Sequence, residues 1–223
     1  MTLISQAPTL FVIDPGTCVP EVECFNAIAR RSPLITSYHL PALFGVGSLD
    51  DPHQGVCAGI ILFGSRSSVS ENNPWQQKLQ VWLEKKIKAG VPTLGICYGH
   101  QLLAHMFGGR VDFIGHKHEG TRHISLQDEP TLQWKAKSGP LVVSHEERVT
   151  MLPSDLVSWG TSDLYENEAL RSNTYPIWGV QPHPEALPCF ATRGKFAVSQ
   201  LEAYTFGYSF IDTFLRHVKT SCA

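Results

Sequence analysis

The chain has 223 residues, 43% of them hydrophobic, with 18 Lys and Arg against 20 Asp and Glu. This length and composition suit one domain with a sizeable core, to which we assign residues 1–223. The near-zero net charge argues against nucleic-acid or acidic-membrane partners held by charge alone. We find neither an apolar run of about 18 residues nor a leader, so we expect a cytoplasmic protein.

The first half of the chain predicts alternating strands and helices. Short apolar runs predict strands at 9–14, 34–40 and 57–63. A weakly periodic segment at 20–31 predicts a helix. The clearest helix begins at Asn73, with Pro74 in its first position, and ends at Gly90. This alternation continues through residue 107 and predicts an α/β fold, with a parallel sheet covered by helices on both faces.

The second half of the chain predicts a mixed region. Short strands are predicted at 121–126, 141–143 and 157–161, ahead of a buried strand at 177–181. We expect these segments to add antiparallel strands to the sheet. The tail from 198 to 218 predicts a closing helix, or a pair of helices divided at Gly207.

One cysteine stands where a strand meets a helix. Residues 91–96 suit a buried strand, and residues 102–107 have helical spacing. Free cysteines are usually core residues, but Gly95 and Gly99 flank Cys97 in the Gly-x-Cys-x-Gly form of a nucleophile elbow. The free N–H groups of a first helical turn favour an anion. We therefore predict that Cys97 is a nucleophile with an exposed, partly ionised sulfur.

A base for this nucleophile is predicted far along the chain. A short apolar strand leads into His183, which Pro182 and Pro184 flank, and Glu185 follows. A cysteine nucleophile needs an imidazole within hydrogen-bond reach, and the imidazole needs a carboxylate or amide to fix its tautomer. His183 and Glu185 can meet both needs.

The other cysteines and histidines predict no further site. The six cysteines lack C-x-x-C spacing, which indicates a reducing compartment rather than a disulfide scaffold or zinc ribbon. His116, His118 and His123 alternate along the sequence but have no acidic or cysteine partner at ligand spacing. We predict neither a metal nor a cofactor.

Two segments carry a family resemblance. Residues 95–101 (GICYGHQ) and 179–185 (GVQPHPE) resemble the G-x-C-x-G-x-Q and H-P-E signatures of class I, or triad-type, glutamine amidotransferases. Residues 60–69 are similar to the family's oxyanion loop, and residues 141–153 to its S-H-x-x-x-V-x-x-L-P segment. The resemblance is to stand-alone members, of the GMP-synthase amidotransferase or γ-glutamyl peptidase kind. It implies a flavodoxin-like three-layer sandwich with a mostly parallel central sheet plus added antiparallel strands.

The resemblance also implies roles for particular residues. Cleavage of the glutamine side-chain amide would pass through a γ-glutamyl thioester, releasing ammonia and then glutamate. The implied residues are Cys97 as nucleophile, His183 as base and then acid, Glu185 as its orienting partner, Gly64, Ser65 and Tyr98 as the oxyanion hole, and Gln101, Ser144 and His145 as substrate-binding residues.

Two positions depart from the family pattern. Ser65 and Arg66 follow Gly64 where the family commonly has Gly-Gly-Pro, and Pro182 stands where Phe is usual. The first departure makes the turn less permissive and brings a cation near the pocket. For Arg66 we favour an exposed loop position over a contact with a substrate carboxylate.

Three functions compete for these residues. The first is a glutamine amidotransferase that passes ammonia to a separate synthetase subunit. The second is a stand-alone hydrolase of γ-glutamyl amides or peptides, which the Gly64-Ser65-Arg66 loop favours. The third is a non-catalytic regulatory or binding protein, against which the intact Cys97, His183 and Glu185 argue.

Overall fold

The computed structural model describes residues 7–222, in which strands and helices alternate through the first half of the chain. The strands are β1 (Pro8–Ile13), β2 (Ile35–His39), β3 (Val56–Leu62), β4 (Thr93–Ile96), β5 (Arg110–Leu126), β6 (Lys137–Met151), β7 (Leu156–Thr161), β8 (Ala169–Ser172) and β9 (Ile177–Val180). The helices are α1 (Val22–Arg31), α2 (Pro41–Phe44), α3 (Pro74–Lys88), α4 (Tyr98–Met106), α5 (Pro188–Gly194) and α6 (Glu202–Ser221). Short 3-10 helices lie at Gly47–Leu49, Pro52–Gln54 and Val69–Glu71.

Within the described residues, nine strands form one mixed sheet in the order β2-β1-β3-β4-β9-β8-β7-β5-β6. The strands from β2 to β9 pair in parallel, and those from β9 to β6 pair antiparallel. The predicted α/β fold, with antiparallel strands added to a parallel sheet, is confirmed. In the parallel part, β4 and β9 are neighbours with Ile96 opposite Val180, so their carboxyl ends lie side by side.

Helices cover both faces of the parallel strands. Because alternate side chains of a strand point to opposite faces of the sheet, successive residues pack in different core clusters. In β1, Leu10 and Val12 pack in the core cluster that includes residues of α1 and α6, whereas Phe11 and Ile13 pack in the one that includes residues of α3 and α4. The predicted helix layers on both faces are therefore present. Among residues 7–222, no helix combines the length and apolar character needed to cross a membrane.

The antiparallel strands are longer than the sequence predicts. β5 has 17 residues and β6 has 15, whereas the sequence predicts strands only at 121–126 and 141–143. The first half of β5 pairs with β6 across a register shift between Phe113 and His118, and many of its side chains are exposed. A hairpin with little buried surface carries no apolar alternation, so its sequence does not predict a strand. β8 and α5 are also absent from the prediction.

The last helix is continuous, so of the two predicted alternatives the single closing helix is confirmed and the pair divided at Gly207 is wrong. Gly207 is buried inside α6, and a Cβ atom there would lie 2.5 Å from the Pro184 carbonyl oxygen. Glycine at this position lets α6 approach the backbone of the turn that carries His183.

Replacing Gly207 with alanine should therefore destabilise the protein. Alanine in a helix interior normally stabilises by about 1 kcal/mol relative to glycine, but here the added methyl group meets backbone, and overpacking of this kind costs about 1–3 kcal/mol. Urea unfolding measures the difference. Thr205→Ala, at an exposed position of the same helix, is the control and should be neutral or slightly stabilising. A Gly207→Ala variant as stable as the control would contradict the close approach.

Candidate active site

Cys97 occupies a strained corner between β4 and α4. Its backbone has φ 51° and ψ −103°, a conformation that costs energy for a residue other than glycine. The two flanking glycines permit the turn: a Cβ atom at Gly95 would lie 2.4 Å from the Gly99 carbonyl oxygen, and one at Gly99 equally close to that of Leu62. The local geometry is that of a nucleophile elbow.

The prediction of an exposed sulfur is wrong. Cys97 is only 4% exposed, because segments distant in sequence cover it. The loop at Gly64 lies against it: a Cβ atom at Gly64 would lie 3.5 Å from the Cys97 Cβ atom. In the thiol form, Sγ donates to the Ser144 carbonyl oxygen of β6 at 3.8 Å. The sulfur is therefore enclosed by segments of the chain rather than facing bulk solvent.

The register of the sheet brings His183 to Cys97. The Cys97 N–H donates to the Val180 carbonyl at the end of β9 (2.9 Å), and His183 follows three residues later. Its own N–H donates to the Val142 carbonyl of β6 (2.7 Å). The His183 ring donates from Nδ1 to Glu185 Oε1 at 2.9 Å, and both side chains are almost fully buried.

The remaining nitrogen of this imidazole is available for chemistry. Nε2 of His183 has no oxygen or nitrogen partner among the described residues, and the ring interacts with the Cys97 sulfur. Burial alone would lower the pKa of His183, but the negative charges of Glu185 and Cys97 outweigh it and raise the pKa well above its ordinary value. The site thus favours a protonated imidazole at His183.

Three residues outside the predicted motifs support this turn. Phe190 of α5 packs on the His183 ring with centroids 4.6 Å apart. Tyr208 of α6 donates from its hydroxyl to the Glu185 carbonyl at 2.8 Å, and Gly207 lets α6 approach the same turn closely. The sequence did carry one signal for α5, since Pro188 stands in its first turn.

The predicted oxyanion residues lie on two sides of Cys97. Gly64 touches the His183 ring, since a Cβ atom there would lie 2.9 Å from Cε1. Ser65 fixes the loop: its hydroxyl donates to the Pro15 carbonyl (2.8 Å) and accepts from the Ser67 N–H (3.1 Å). Tyr98 begins α4, so its N–H lies outside the helical hydrogen-bond ladder. Their role in holding an oxyanion stays a prediction.

The side chains predicted to bind substrate have partners within the protein. The buried Gln101 amide donates to the Glu147 carbonyl (2.9 Å) and to Gln181 Oε1 (3.2 Å). His145 is also buried, and its Nδ1 is 2.9 Å from the same carbonyl. The Ser144 hydroxyl donates to Glu119 at 3.3 Å. Contact of these three residues with substrate stays a prediction.

Arg66, the histidines of β5 and the cysteines are the remaining candidates from the sequence. Arg66 is exposed, as favoured. The rings of His116 and His118 stack with centroids 4.4 Å apart. In the part of the chain from 7 to 222, no three metal-ligating side chains come together. The six cysteines are free thiols.

Comparison with known proteins identifies the family. Residues 48–192, more than half of the chain, match the family model described as glutamine amidotransferase class-I. The chain belongs to the class I glutamine amidotransferase family. Two solved amidotransferases share its fold at 18% sequence identity. The one from Thermotoga maritima has a TM-score of 0.73 over 96% of this chain and 99% of its own. The one from Methylobacillus flagellatus has a TM-score of 0.68 over 97% and 94%.

Curated relatives of this chain include GMP synthases. The glutamine-hydrolysing GMP synthase of Porphyromonas gingivalis is 34% identical over 179 residues, which make up 79% of this chain and 33% of that protein. A subunit of the glutamine-hydrolysing GMP synthase of Methanopyrus kandleri is 32% identical over 131 residues, 57% of this chain and 66% of that protein. The chain spans about a third of the length of the first curated GMP synthases it matches.

Proposed function

We propose that this amidotransferase-family chain hydrolyses the side-chain amide of glutamine, or of a γ-glutamyl amide, through a thioester on Cys97. The observation that carries the proposal is the placement of three side chains. Cys97 stands at a positive-φ elbow, and His183, whose Nδ1 is held by Glu185 at 2.9 Å, lies at the end of the adjacent parallel strand. A nucleophile, a base and an orienting carboxylate are thus arranged in the order that acyl transfer requires.

In the first half of the reaction, the Cys97 thiolate attacks the amide carbon and the carbonyl oxygen gains negative charge. The N–H groups of Tyr98 and of the Gly64-Ser65 loop are the donors proposed for that oxygen, each worth about 3 kcal/mol in related chemistry. Protonated His183 donates from Nε2 to the leaving nitrogen. The carbon–nitrogen bond breaks, ammonia leaves, and the γ-glutamyl group remains on sulfur.

In the second half, water resolves the thioester. Neutral His183 takes a proton from the attacking water, and the resulting hydroxide adds to the thioester carbon. The carbon–sulfur bond then breaks, which releases glutamate and restores the thiolate beside the protonated imidazole. Glu185 keeps the imidazole in the tautomer that exposes Nε2 throughout.

The destination of the ammonia separates two versions of this function. The Methanopyrus relative is named as one subunit of a GMP synthase, which supports transfer of the ammonia to a separate synthetase subunit. The departure at Ser65 and Arg66 supports the alternative, a γ-glutamyl peptidase, because Gly-Ser versions of this loop resemble those of stand-alone members. The same triad serves both reactions, so the preferred substrate distinguishes the amidotransferase from the peptidase.

A substrate panel with a covalent trap tests the proposal. The full chain is incubated with glutamine, γ-glutamyl dipeptides and glutathione while release of ammonia or amine is measured. In parallel, a glutamine-like chloroketone is added and the labelled residue is mapped by mass spectrometry. We expect turnover, with the label on Cys97. A marked preference for peptides would favour the peptidase. The absence of both turnover and labelling would contradict the proposal and favour the third candidate, a non-catalytic regulatory or binding protein.

A further inference from the structure

A closed ring of hydrogen bonds, here called the polar ring, runs beside the proposed site. Its contacts join β5, β6, α4, the end of β9 and the segment before β8. In order, its members are Glu168, Arg122, His145, the Glu147 carbonyl, Gln101 and Gln181, and the Gln181 N–H returns to the Glu168 carbonyl. Two of these residues, Gln101 and His145, are among the three that the resemblance implies as substrate-binding residues.

One half of the polar ring is a buried ion pair. Arg122 Nη1 donates to Glu168 Oε1 at 2.8 Å, and their side chains are 8% and 0% exposed. The same Nη1 lies 3.2 Å from His145 Nε2, which must accept because a guanidinium can only donate. His145 Nδ1 therefore carries the proton and donates to the Glu147 carbonyl at 2.9 Å. Burial lowers the pKa of His145 to about 3, which keeps it in this neutral tautomer.

The other half of the ring reaches the elbow helix. The Gln101 amide group donates to the Glu147 carbonyl at 2.9 Å and to Gln181 Oε1 at 3.2 Å. The Gln181 N–H donates to the Glu168 carbonyl at 2.8 Å and closes the circuit. Each Gln101 contact joins segments that are 46 or 80 residues apart along the chain.

The polar ring is connected to Cys97, the proposed nucleophile, at two points. Ser144, whose carbonyl accepts from the Cys97 sulfur, directly precedes His145. The Gln101 N–H donates to the Cys97 carbonyl at 3.0 Å, one helical turn after the elbow. The ring therefore links β6 to the elbow helix, which carries the nucleophile. In the proposed function, β6, whose Ser144 carbonyl contacts the Cys97 sulfur, forms one wall of the substrate pocket.

We infer that Arg122 and Glu168 are positioning residues, which act through the polar ring to hold the β6 wall of the pocket against Cys97. The inference rests on the proposed function. A buried ion pair is weak evidence for stability, since a well-packed apolar pair of similar volume is often as stable. The charged pair here contributes to orientation: the planar guanidinium contacts both His145 and Glu168 and holds them in fixed relative positions. Misplacing a pocket wall by about 1 Å can cost about 10²-fold in rate.

The test removes both charges, because removing one would leave an uncompensated buried charge and destabilise the fold. The variant is Arg122→Met with Glu168→Gln. The matched control is Arg171→Met with Glu129→Gln, a second pair with a buried glutamate, at 3.0 Å, outside the ring. Four quantities are measured: kcat and KM for glutamine, labelling of Cys97 by the glutamine-like chloroketone, alkylation of Cys97 by iodoacetamide, and the melting temperature.

We expect the ring variant to lose about 10- to 100-fold in kcat with little change in KM. Labelling by the chloroketone should fall equally, because it needs the positioned wall. Alkylation by iodoacetamide should stay within about two-fold, because His183 and Glu185 are untouched. The control should keep kcat within about two-fold, and its melting temperature calibrates the loss of an ion pair. If the ring variant does not fold, Arg122→Lys is tested instead, because it keeps both buried charges but lacks the planar guanidinium that contacts His145 and Glu168 together, and we expect it to lose kcat in the same way.

Other results would overturn the inference. A ring variant with the kcat of the control would remove the positioning role. A parallel loss of kcat, iodoacetamide alkylation and melting temperature would indicate general damage to the fold instead. Failure of the unaltered protein to react with the chloroketone at Cys97 is a different result, which would overturn the proposed function and the inference with it.

Discussion

Replacing Cys97 with alanine is expected to lower glutamine hydrolysis by at least about 10⁴-fold. The reason is chemical: the variant has no atom that can form the proposed thioester, so the proposed oxyanion donors and His183 can only assist direct attack by water. The fold should tolerate the change, since alanine is smaller and the backbone keeps the same corner at φ 51°. The measurement is ammonia release from glutamine at saturating concentration, with the detection limit set by a blank.

Cys189→Ala is the matched control for this prediction. Cys189 is half-buried, lies in α5 and stands four residues after Glu185, but it is not part of the proposed chemistry. Its replacement should change kcat by less than about two-fold, and the variant should still carry the chloroketone label on Cys97. A Cys97→Ala protein that retains more than about 1% of the rate would contradict the thioester, since a missing nucleophile costs far more than that.

Much of this site follows from local sequence. Gly95 and Gly99 are needed because the strand and the helix pass within contact distance at Cys97, and this constraint is visible as a glycine two residues either side. His183 and Glu185 are two residues apart, so their hydrogen bond also depends on a short segment. For the same reason the bounds of β1, β2, β3, α1 and α3 lie within a few residues of those predicted, whereas the short α2 is absent from the prediction.

What local sequence does not contain is contact between distant segments. The burial of Cys97 depends on Gly64 and Ser144, which approach it from other parts of the chain. Arg122 and Glu168 are 46 residues apart, and neither lies in a motif that indicates a partner. An arginine in a predicted strand is normally an exposed one, so its burial appears only once the sheet order is known.

Replacing Glu185 with glutamine is expected to lower kcat by about 10²- to 10⁴-fold, as loss of the orienting carboxylate does in related triads. Glutamine is nearly isosteric, but its amide can present either oxygen or nitrogen to Nδ1 of His183. It also removes the negative charge that helps to raise the pKa of His183. Exposed Glu202→Gln is the control for the loss of one carboxylate and should leave kcat unchanged.

The pH dependence gives this variant a signature that simple misfolding lacks. In the proposed reaction, protonated His183 supplies the proton for ammonia, so we expect activity to be lost as the pH rises through the pKa of His183 in the folded protein. Burial lowers that pKa, and the charges of Glu185 and Cys97 raise it well above 6.5. Without the Glu185 charge the pKa falls, and the basic limb of the profile must move to lower pH.

The stability of the fold should depend on pH in the same direction as the activity. A histidine with a raised folded-state pKa stabilises the fold fully below its unfolded pKa of about 6.5, and that contribution is lost as the pH rises through the folded value. Urea unfolding of the unaltered protein should therefore show a His183 contribution that persists above pH 6.5 and that the Glu185→Gln variant loses at lower pH. A basic limb and a stability profile that both stay in place would mean that another group holds the proton, because Glu185 would then contribute nothing to the charge of His183.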